Sequence, residues 1–211
     1  MGASVSRESR VYIFGKGNTP QKGGETVRTD YITPDLLSHI LAALTPQNEL
    51  AMRVSMATGL RISDVLSLKT EQLLKGQRFT VTEQKTGKRR RVYLPSSLYD
   101  ELLRYAGRVY VFENRLDYRR PRTRQAVWKD LKRAAAVFRV SDALNVSCHS
   151  ARKDYAVEAF RKYGSPAKVR ELLNHESEAV TALYILAEQI AERKLGGTAE
   201  KRQYRKKSRE K

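Results

Sequence analysis

The spacing of apolar side chains predicts that most of this chain is helical. From residue 33 onwards, apolar positions recur with the period of a helix that buries one face. The first stripe follows Thr33 and Pro34, a pair typical of a helix start. Its members are Leu36, Leu37, Ile40, Leu41 and Leu44. The same signals predict further helices at 46–59, 61–68, 97–105, 123–138, 149–163, 166–174 and 178–194.

The stretch from residue 71 to residue 95 follows a different pattern. Residues 78–82 and 91–94 alternate between apolar and polar side chains, as strands with one buried face do. The segment Lys85-Thr86-Gly87-Lys88 between them predicts a turn, and Pro95 ends the second strand. We therefore expect a mainly α domain with a small antiparallel β-sheet, an α+β fold.

Three segments are predicted along the chain. The first part of residues 1–32 is rich in Gly, Ser and Lys, and this composition predicts an arm or linker. Residues 33–195 carry the periodic patterns and are numerous enough to bury a hydrophobic core as one domain. Gly196 and Gly197 end the helical pattern, so residues 196–211 predict a basic, flexible tail.

The charge of the chain indicates a polyanionic partner. It contains 41 Lys and Arg residues against 23 Asp and Glu residues, a net charge of +18. The basic residues cluster at 85–91, 115–133 and 201–211, which favours nucleic acid over a generally basic surface. A membrane partner is not expected, because the tail has no apolar face and no apolar run is long enough to span a bilayer.

Six residues carry groups suited to cutting a phosphodiester. That reaction needs a nucleophile, charge stabilisation at the phosphoryl oxygens and a proton donor for the leaving oxygen. The candidates are Arg61, Lys85, His149, Arg152, His175 and Tyr184. Taken alone, each has an ordinary structural explanation: Arg61 could pair with Asp64, Lys85 could lie in a solvated turn, and Tyr184 could belong to the core. Their order and spacing together favour a site.

That order and spacing resemble the catalytic domain of the tyrosine recombinases, also called phage integrases. Residues 58–69 resemble the family's first arginine box, residues 84–88 its catalytic-lysine hairpin, and His149-x-x-Arg152 its second arginine box. Residues 172–177 are similar to the third box, and the nucleophile usually lies nine residues after its histidine, as Tyr184 does. The resemblance covers about residues 33–194 and implies the tyrosine-recombinase catalytic-domain fold.

The resemblance implies site-specific DNA recombination without metal, ATP or another cofactor. Tyr184 would attack the scissile phosphate, form a 3′-phosphotyrosyl link and release a 5′-hydroxyl. His149 would help to deprotonate the tyrosine or hydrogen-bond the phosphate. Lys85, in preference to Lys88, would protonate the leaving oxygen. The implied phosphate contacts are Arg61, Arg152 and His175.

Double-stranded DNA is the expected partner. Basic side chains position a protein on DNA without reading its sequence, and we expect such contacts from Lys88, Arg89, Arg90, Arg122 and Arg124. The resemblance also implies self-association on DNA as a dimer or tetramer, with an accessory DNA-bending protein as a further candidate partner. Family members usually carry a helical core-binding domain before the catalytic domain. Only about 30 residues precede it here, so the chain is expected to be a fragment or a naturally short protein.

The expected location is the cytoplasm, in association with the nucleoid of a prokaryotic or viral host. Cys148 is the only cysteine, so no internal disulfide can form and a reducing compartment is expected. Residues 1–10 also lack the apolar core of a signal peptide.

Several positions depart from the family pattern. Ala151, Lys153 and Asp154 stand where the family often has Leu and His-Thr. Asn174 replaces a usual glycine, and we expect it to be tolerated because Asn accepts left-handed backbone angles.

Two other functions stay open. A type IB DNA topoisomerase uses a similar set of side chains, although the spacing from His175 to Tyr184 favours a recombinase. A DNA-binding regulator that keeps the fold without catalysis is the second alternative, and the presence of all the chemical groups argues against it.

Overall fold

The computed structural model describes residues 32, 34–139 and 145–174. Its elements, in order, are α1 Pro34–Ala42, α2 Pro46–Thr58, α3 Ile62–Leu66, α4 Thr70–Leu73, β1 Arg78–Thr82, β2 Arg89–Tyr93, α5 Ser96–Tyr105, α6 Arg124–Val137, α7 His149–Tyr163 and α8 Pro166–Leu173. The predicted α+β fold class is therefore confirmed. The helix predicted at 178–194, most of the N-terminal arm and the tail lie outside the described residues.

The ends of the helices follow the local signals in the sequence. Ser165 and Thr123 accept hydrogen bonds from backbone N–H groups at the starts of α8 and α6, which satisfies donors that lack a partner inside the helix. Helix α2 ends at Gly59 and α8 at Asn174, both in the left-handed region at φ 67° and 50°. Glycine adopts this region freely and asparagine does so more readily than most residues.

One helix and two strand-like contacts were missed by the pattern. Helix α4 is four residues long, too short to show an apolar stripe. Isolated bridges pair Lys69 with Tyr110 and Glu113 with Pro121. These pairings join irregular segments, so the sequence there lacks the alternation of apolar and polar residues that predicts a strand.

The main hydrophobic core is built around α2 and includes buried side chains of α1, α3, α5, α6, the hairpin and the start of α7. A smaller cluster lies between α7 and α8. Strands β1 and β2 pair antiparallel, with Phe79 opposite Val92. Phe79, Val81 and Val92 are all buried, and this fixes the register because a slip of one residue would turn them to solvent. Within the described part of the chain, no helix combines the length and the apolar character that crossing a membrane requires.

A buried carboxylate on α6 holds the start of α2. The Oδ2 atom of Asp130 accepts hydrogen bonds from the backbone N–H of Thr45 at 2.8 Å, from its hydroxyl at 2.9 Å and from the amide of Asn48 at 2.7 Å. Arg133 donates to the other oxygen. Burial opposes ionisation, but these donors hold the pKa of Asp130 below its usual range. The carboxylate therefore stabilises the junction between α1, α2 and α6.

We predict that Asp130→Ala lowers the free energy of unfolding by about 2 kcal/mol, because it leaves the buried amide of Asn48 and the partly buried backbone N–H of Thr45 without their acceptor. Glu158→Ala is the matched control, since Glu158 also pairs with an arginine three residues along a helix but is exposed. The control should change the value by no more than about 0.5 kcal/mol. Chemical denaturation measures both; equal losses would contradict the role given to Asp130.

Candidate active site

A pocket of about 860 Å3 lies where the hairpin, α3, α6 and the start of α7 meet. Arg61, Lys85 and His149, three of the predicted catalytic residues, line it, and Arg124 lies on the same wall. The remaining lining residues are Ile62, Ser63, Gln84, Gln125, Trp128, Lys132, Asn145, Ser147 and Cys148. The fold thus brings together side chains that are far apart in the sequence, in a cavity with a strongly basic lining.

Arg61 is held at the pocket wall by a buried glutamate. It occupies the position just before α3, where the backbone is still extended, so its side chain leaves the helix start towards the hairpin. Its guanidinium donates to Oε2 of Glu83, whose side chain is completely buried. This pairing corrects the alternative suggested by the sequence, a surface pair of Arg61 with Asp64.

Asp64 lies in the interior and faces the hairpin. Its Oδ1 atom accepts a hydrogen bond from the backbone N–H of Gln84 at 2.9 Å. Among the described residues, no hydrogen-bond partner contacts its Oδ2 atom. Burial raises the pKa of Asp64, and the nearby charge of Glu83 acts in the same direction. Asp64 therefore fastens the hairpin to α3 immediately before Lys85.

Lys85 is exposed in the turn and lines the pocket, whereas the exposed Lys88 does not. The turn is closed by two backbone hydrogen bonds: Gly87 donates to Glu83 at 2.8 Å, and Glu83 donates to Lys88 at 3.0 Å. Gly87 has φ +66°, which glycine adopts without strain. The geometry supports Lys85 over Lys88 as the residue that reaches a substrate in the pocket.

Arg152 lies behind the pocket wall. Its side chain is buried, and its two terminal nitrogens donate to the backbone carbonyls of Gly59, at 2.7 Å, and Leu173. Burial and the neighbouring Arg61 lower its pKa to about 10, so it remains a cation at neutral pH. It contributes positive potential to the pocket and ties α7 to the ends of α2 and α8.

His149 lines the pocket at the first position of α7, one turn before Arg152. It is exposed to the cavity, yet the surrounding protein removes part of its hydration. This desolvation lowers the pKa of His149, and Arg152, Arg124, Arg61 and Lys153 lower it further. The imidazole is therefore neutral at neutral pH and can accept a proton.

The sequence as a whole matches the model of the phage integrase family over residues 30–189. The chain belongs to the phage integrase family. The matched range contains every predicted catalytic residue, including His175 and Tyr184, which lie outside the residues that the structure describes.

Individual proteins are similar to this chain in sequence or in fold. The probable integrase/recombinase YoeC of Bacillus subtilis (strain 168) is 28% identical over 132 residues, which cover 61% of this chain and 71% of that protein. A lambda integrase dimer bound to a COC' core site has a similar fold, with a TM-score of 0.64, 20% identity and coverage of 78% of this chain and 50% of that chain. The site-specific recombinase XerH bound to palindromic difH substrate gives a TM-score of 0.58 at 19% identity and covers 73% of this chain and 48% of that one. This phage integrase family member thus spans about half the length of these two solved recombinases.

Two of the arginines expected to contact DNA have internal partners instead. Arg90 of β2 donates to the backbone carbonyl of Thr58, lies 3.7 Å from Glu83 and stacks over the ring of Tyr155. Its side chain is only 10% exposed, so this arrangement argues against a contact with the DNA backbone. Arg122 donates to the side-chain oxygens of two residues at the start of α2, Gln47 and Asn48.

The other three predicted DNA contacts are exposed. Lys88 and Arg89 lie at the end of the hairpin turn, and Arg124 lies in the pocket at the start of α6. Their accessibility is compatible with phosphate binding, and their roles stay predictions.

Glu83 was missed by the sequence reasoning, although a signal was present. It is the only acidic residue between Glu71 and Asp100, and the basic run 85–91 begins two residues later. An isolated carboxylate beside such a run has cations within reach, and a buried carboxylate is almost always paired.

Gly59 provides the backbone carbonyl that anchors Arg152, and the ring of Tyr155 packs closely against its α-carbon. At φ +67°, a Cβ atom here would lie 2.5 Å from Cδ1 of Tyr155. Gly164, at the end of α7, has φ +64° but no heavy atom within 4 Å of a Cβ. The two glycines therefore share the backbone conformation and differ in their surroundings.

We predict that Gly59→Ala lowers the free energy of unfolding by about 3 kcal/mol and Gly164→Ala by about 1 kcal/mol. The backbone strain is common to both, and only Gly59→Ala adds overpacking against Tyr155. Thermal or chemical denaturation of the two variants measures the difference. Equal losses would show that the close packing at Gly59 is unimportant.

We predict that His149 titrates below its ordinary pKa of 6.5 and that Arg124→Gln moves the midpoint upwards. Removing a nearby positive charge makes the imidazolium less unfavourable, whereas Arg124→Lys should leave the midpoint in place. An NMR titration of the His149 ring follows the change. A midpoint above 6.5 in the unmodified chain would contradict the electrostatic account of the pocket.

Proposed function

We propose that the chain is a site-specific DNA recombinase that cuts and rejoins DNA through a covalent link to Tyr184. The observation that carries this proposal is the pocket, where Arg61, Lys85 and His149 converge in a member of the phage integrase family. A DNA phosphodiester, which carries one negative charge, fits a cavity with this positive lining, and the three groups supply distinct chemical functions.

Cleavage begins with attack of the Tyr184 oxygen on the scissile phosphorus. A bond forms between the tyrosine oxygen and phosphorus, while the bond from phosphorus to the 5′ oxygen breaks. Neutral His149 accepts the tyrosine proton, and Lys85 donates a proton to the departing 5′ oxygen. The products are a 3′-phosphotyrosyl link and a free 5′-hydroxyl.

Rejoining follows the same steps in reverse. The 5′-hydroxyl of another strand attacks the phosphotyrosine, and the tyrosine leaves with its proton restored. Because the covalent link conserves the energy of the phosphodiester, the exchange proceeds without metal, ATP or another cofactor.

The positive charge of the site stabilises the transition state. Arg61 presents its guanidinium at the pocket wall, and planar guanidinium groups bind two phosphate oxygens at once. Arg152 adds positive potential from behind the wall, and a guanidinium has five N–H donors, so its two bonds to backbone carbonyls leave further donors for a phosphate oxygen. His175 contributes a further phosphate contact in this proposal.

DNA binding and self-association complete the proposal. The exposed Lys88, Arg89 and Arg124 contact the backbone, which suits a chain with a net charge of +18. The lambda integrase that shares the fold is a dimer bound to a core site, and we propose that this chain likewise assembles on double-stranded DNA. Residues 33–195 form the catalytic domain, 1–32 an arm and 196–211 a basic tail.

The test is to trap the covalent adduct on nicked duplex DNA in which religation is prevented by loss of the short cleaved fragment. A pool with randomised sequence around the nick serves as substrate. We predict a denaturation-resistant protein–DNA adduct with the unmodified chain and none with Tyr184→Phe. Tyr163→Phe, which alters an exposed tyrosine on α7, is the matched control and should form the adduct normally. An equal adduct with Tyr184→Phe would contradict the assignment of the nucleophile.

A further inference from the structure

We propose that Glu83 and Asn174 form a positioning pair that holds Arg61 and the Lys85 turn in the arrangement needed for DNA cleavage. The proposal rests on the recombinase function above and assigns to that reaction two residues that do not touch the substrate. Glu83 is the central member, because its single carboxylate contacts three parts of the site.

One oxygen of Glu83 binds Arg61 and the turn that carries Lys85. Oε2 accepts hydrogen bonds from the guanidinium of Arg61 and from the hydroxyl of Thr86, the latter at 3.2 Å. Thr86 directly follows Lys85 in the turn. The carboxylate therefore fixes Arg61 relative to the turn that carries the lysine.

The other oxygen faces the end of α8. Oε1 accepts a hydrogen bond from the side-chain amide of Asn174 at 3.1 Å and lies 3.7 Å from the guanidinium of Arg90. Asn174 directly precedes His175 in the sequence. A single carboxylate thus connects the arginine at the start of α3, the lysine turn and the residue that leads to a predicted phosphate contact.

The charge of Glu83 makes these contacts strong. Burial opposes ionisation of the carboxyl, but hydrogen bonds from Asn174 and Arg61 lower its pKa below the ordinary value. An ionised acceptor forms shorter and stronger hydrogen bonds than a neutral one. Because the side chain is completely buried, solvent does not screen them.

The side chain of Asn174 has a role beyond ending α8. Its backbone is left-handed, at φ 50° and ψ 39°, a conformation that glycine adopts at no steric cost. Glycine would end the helix equally well but could not donate to Glu83. The amide therefore adds a function that the helix end itself does not require.

The pair predicts a distinctive kinetic result for three variants of the full chain. Asn174→Gly keeps the helix end and removes only the amide, and should slow adduct formation about tenfold at saturating DNA. Glu83→Gln removes the charge and should slow it about a hundredfold, as a small misplacement of catalytic groups can do. The double variant should be no slower than Glu83→Gln, because Asn174 acts through Glu83.

The measurement is single-turnover adduct formation on a nicked duplex drawn from the randomised pool. The DNA concentration at half-saturation should stay unchanged in each variant, since the phosphate contacts remain while their alignment is lost. Glu101→Gln is the matched control: Glu101 also accepts from an arginine, Arg53, at 2.8 Å, but Arg53, unlike Arg61, does not line the pocket. It should form the adduct at the unmodified rate, and thermal unfolding should show Asn174→Gly to be folded.

Failure of the pair is distinguishable from failure of the recombinase function. An unmodified chain that forms no adduct on the pool overturns the function and the pair together. A normal adduct from the unmodified chain with an unchanged rate in Asn174→Gly overturns the pair alone. The same conclusion follows if the losses of the two single variants multiply in the double variant. If Glu83→Gln does not fold, the rate of adduct formation by Asn174→Gly at saturating DNA tests the pair by itself: a loss of about tenfold supports the pair and an unchanged rate overturns it.

Discussion

A buried carboxylate surrounded by guanidinium groups is the interaction on which the candidate active site depends. Glu83 is fully buried and pairs with Arg61, while Arg90 and Arg152 lie in the same interior region. Several like charges cannot be enclosed in a protein interior without compensation, because desolvation and mutual repulsion both oppose it. Glu83 supplies that compensation and leaves a net positive potential directed at the pocket.

Backbone carbonyls accept further hydrogen bonds from the buried arginines. The carbonyl of Gly59 accepts from Arg152, and the neighbouring carbonyl of Thr58 accepts from Arg90. These carbonyls lie at the end of α2, where the left-handed glycine turns the chain towards Arg61. The close approach of Tyr155 to Gly59 then packs α7 against α2. The end of one helix therefore sets the position of three arginines.

Local signals in the sequence were sufficient for much of this architecture. Apolar periodicity and the Thr45-Pro46 and Ser165-Pro166 starts predicted the described helices other than α4, and alternation predicted the hairpin. The pocket contains Arg61, Lys85 and His149, which spacing had already grouped. Each of these three residues lies at a helix start or in a turn, where local sequence signals are clear. Their charge and order were therefore enough to predict that they share a site.

Short-range patterns in the sequence could not predict contacts between residues that lie far apart along the chain. The pairing of Glu83 with Asn174 joins positions 91 apart, and nothing near either residue specifies the other. The burial of Arg90 was missed because the predicted strand began at residue 91, which left Arg90 in the basic turn, whereas β2 begins at Arg89. Nothing in the sequence shows that Tyr155 of α7 lies against this side chain. Arg152 was grouped correctly with His149 on α7, but helical spacing alone does not show that one faces the cavity and the other the interior.

The central claim is that this basic pocket serves a covalent reaction of Tyr184 with DNA. Mapping the trapped adduct by mass spectrometry after trypsin and nuclease digestion tests it most directly, because the tryptic peptide 171–193 contains no other tyrosine. The account predicts a nucleotide remnant on this peptide, joined to Tyr184 through its 3′-phosphate. A remnant on another peptide, or one joined through a 5′-phosphate, would contradict the account.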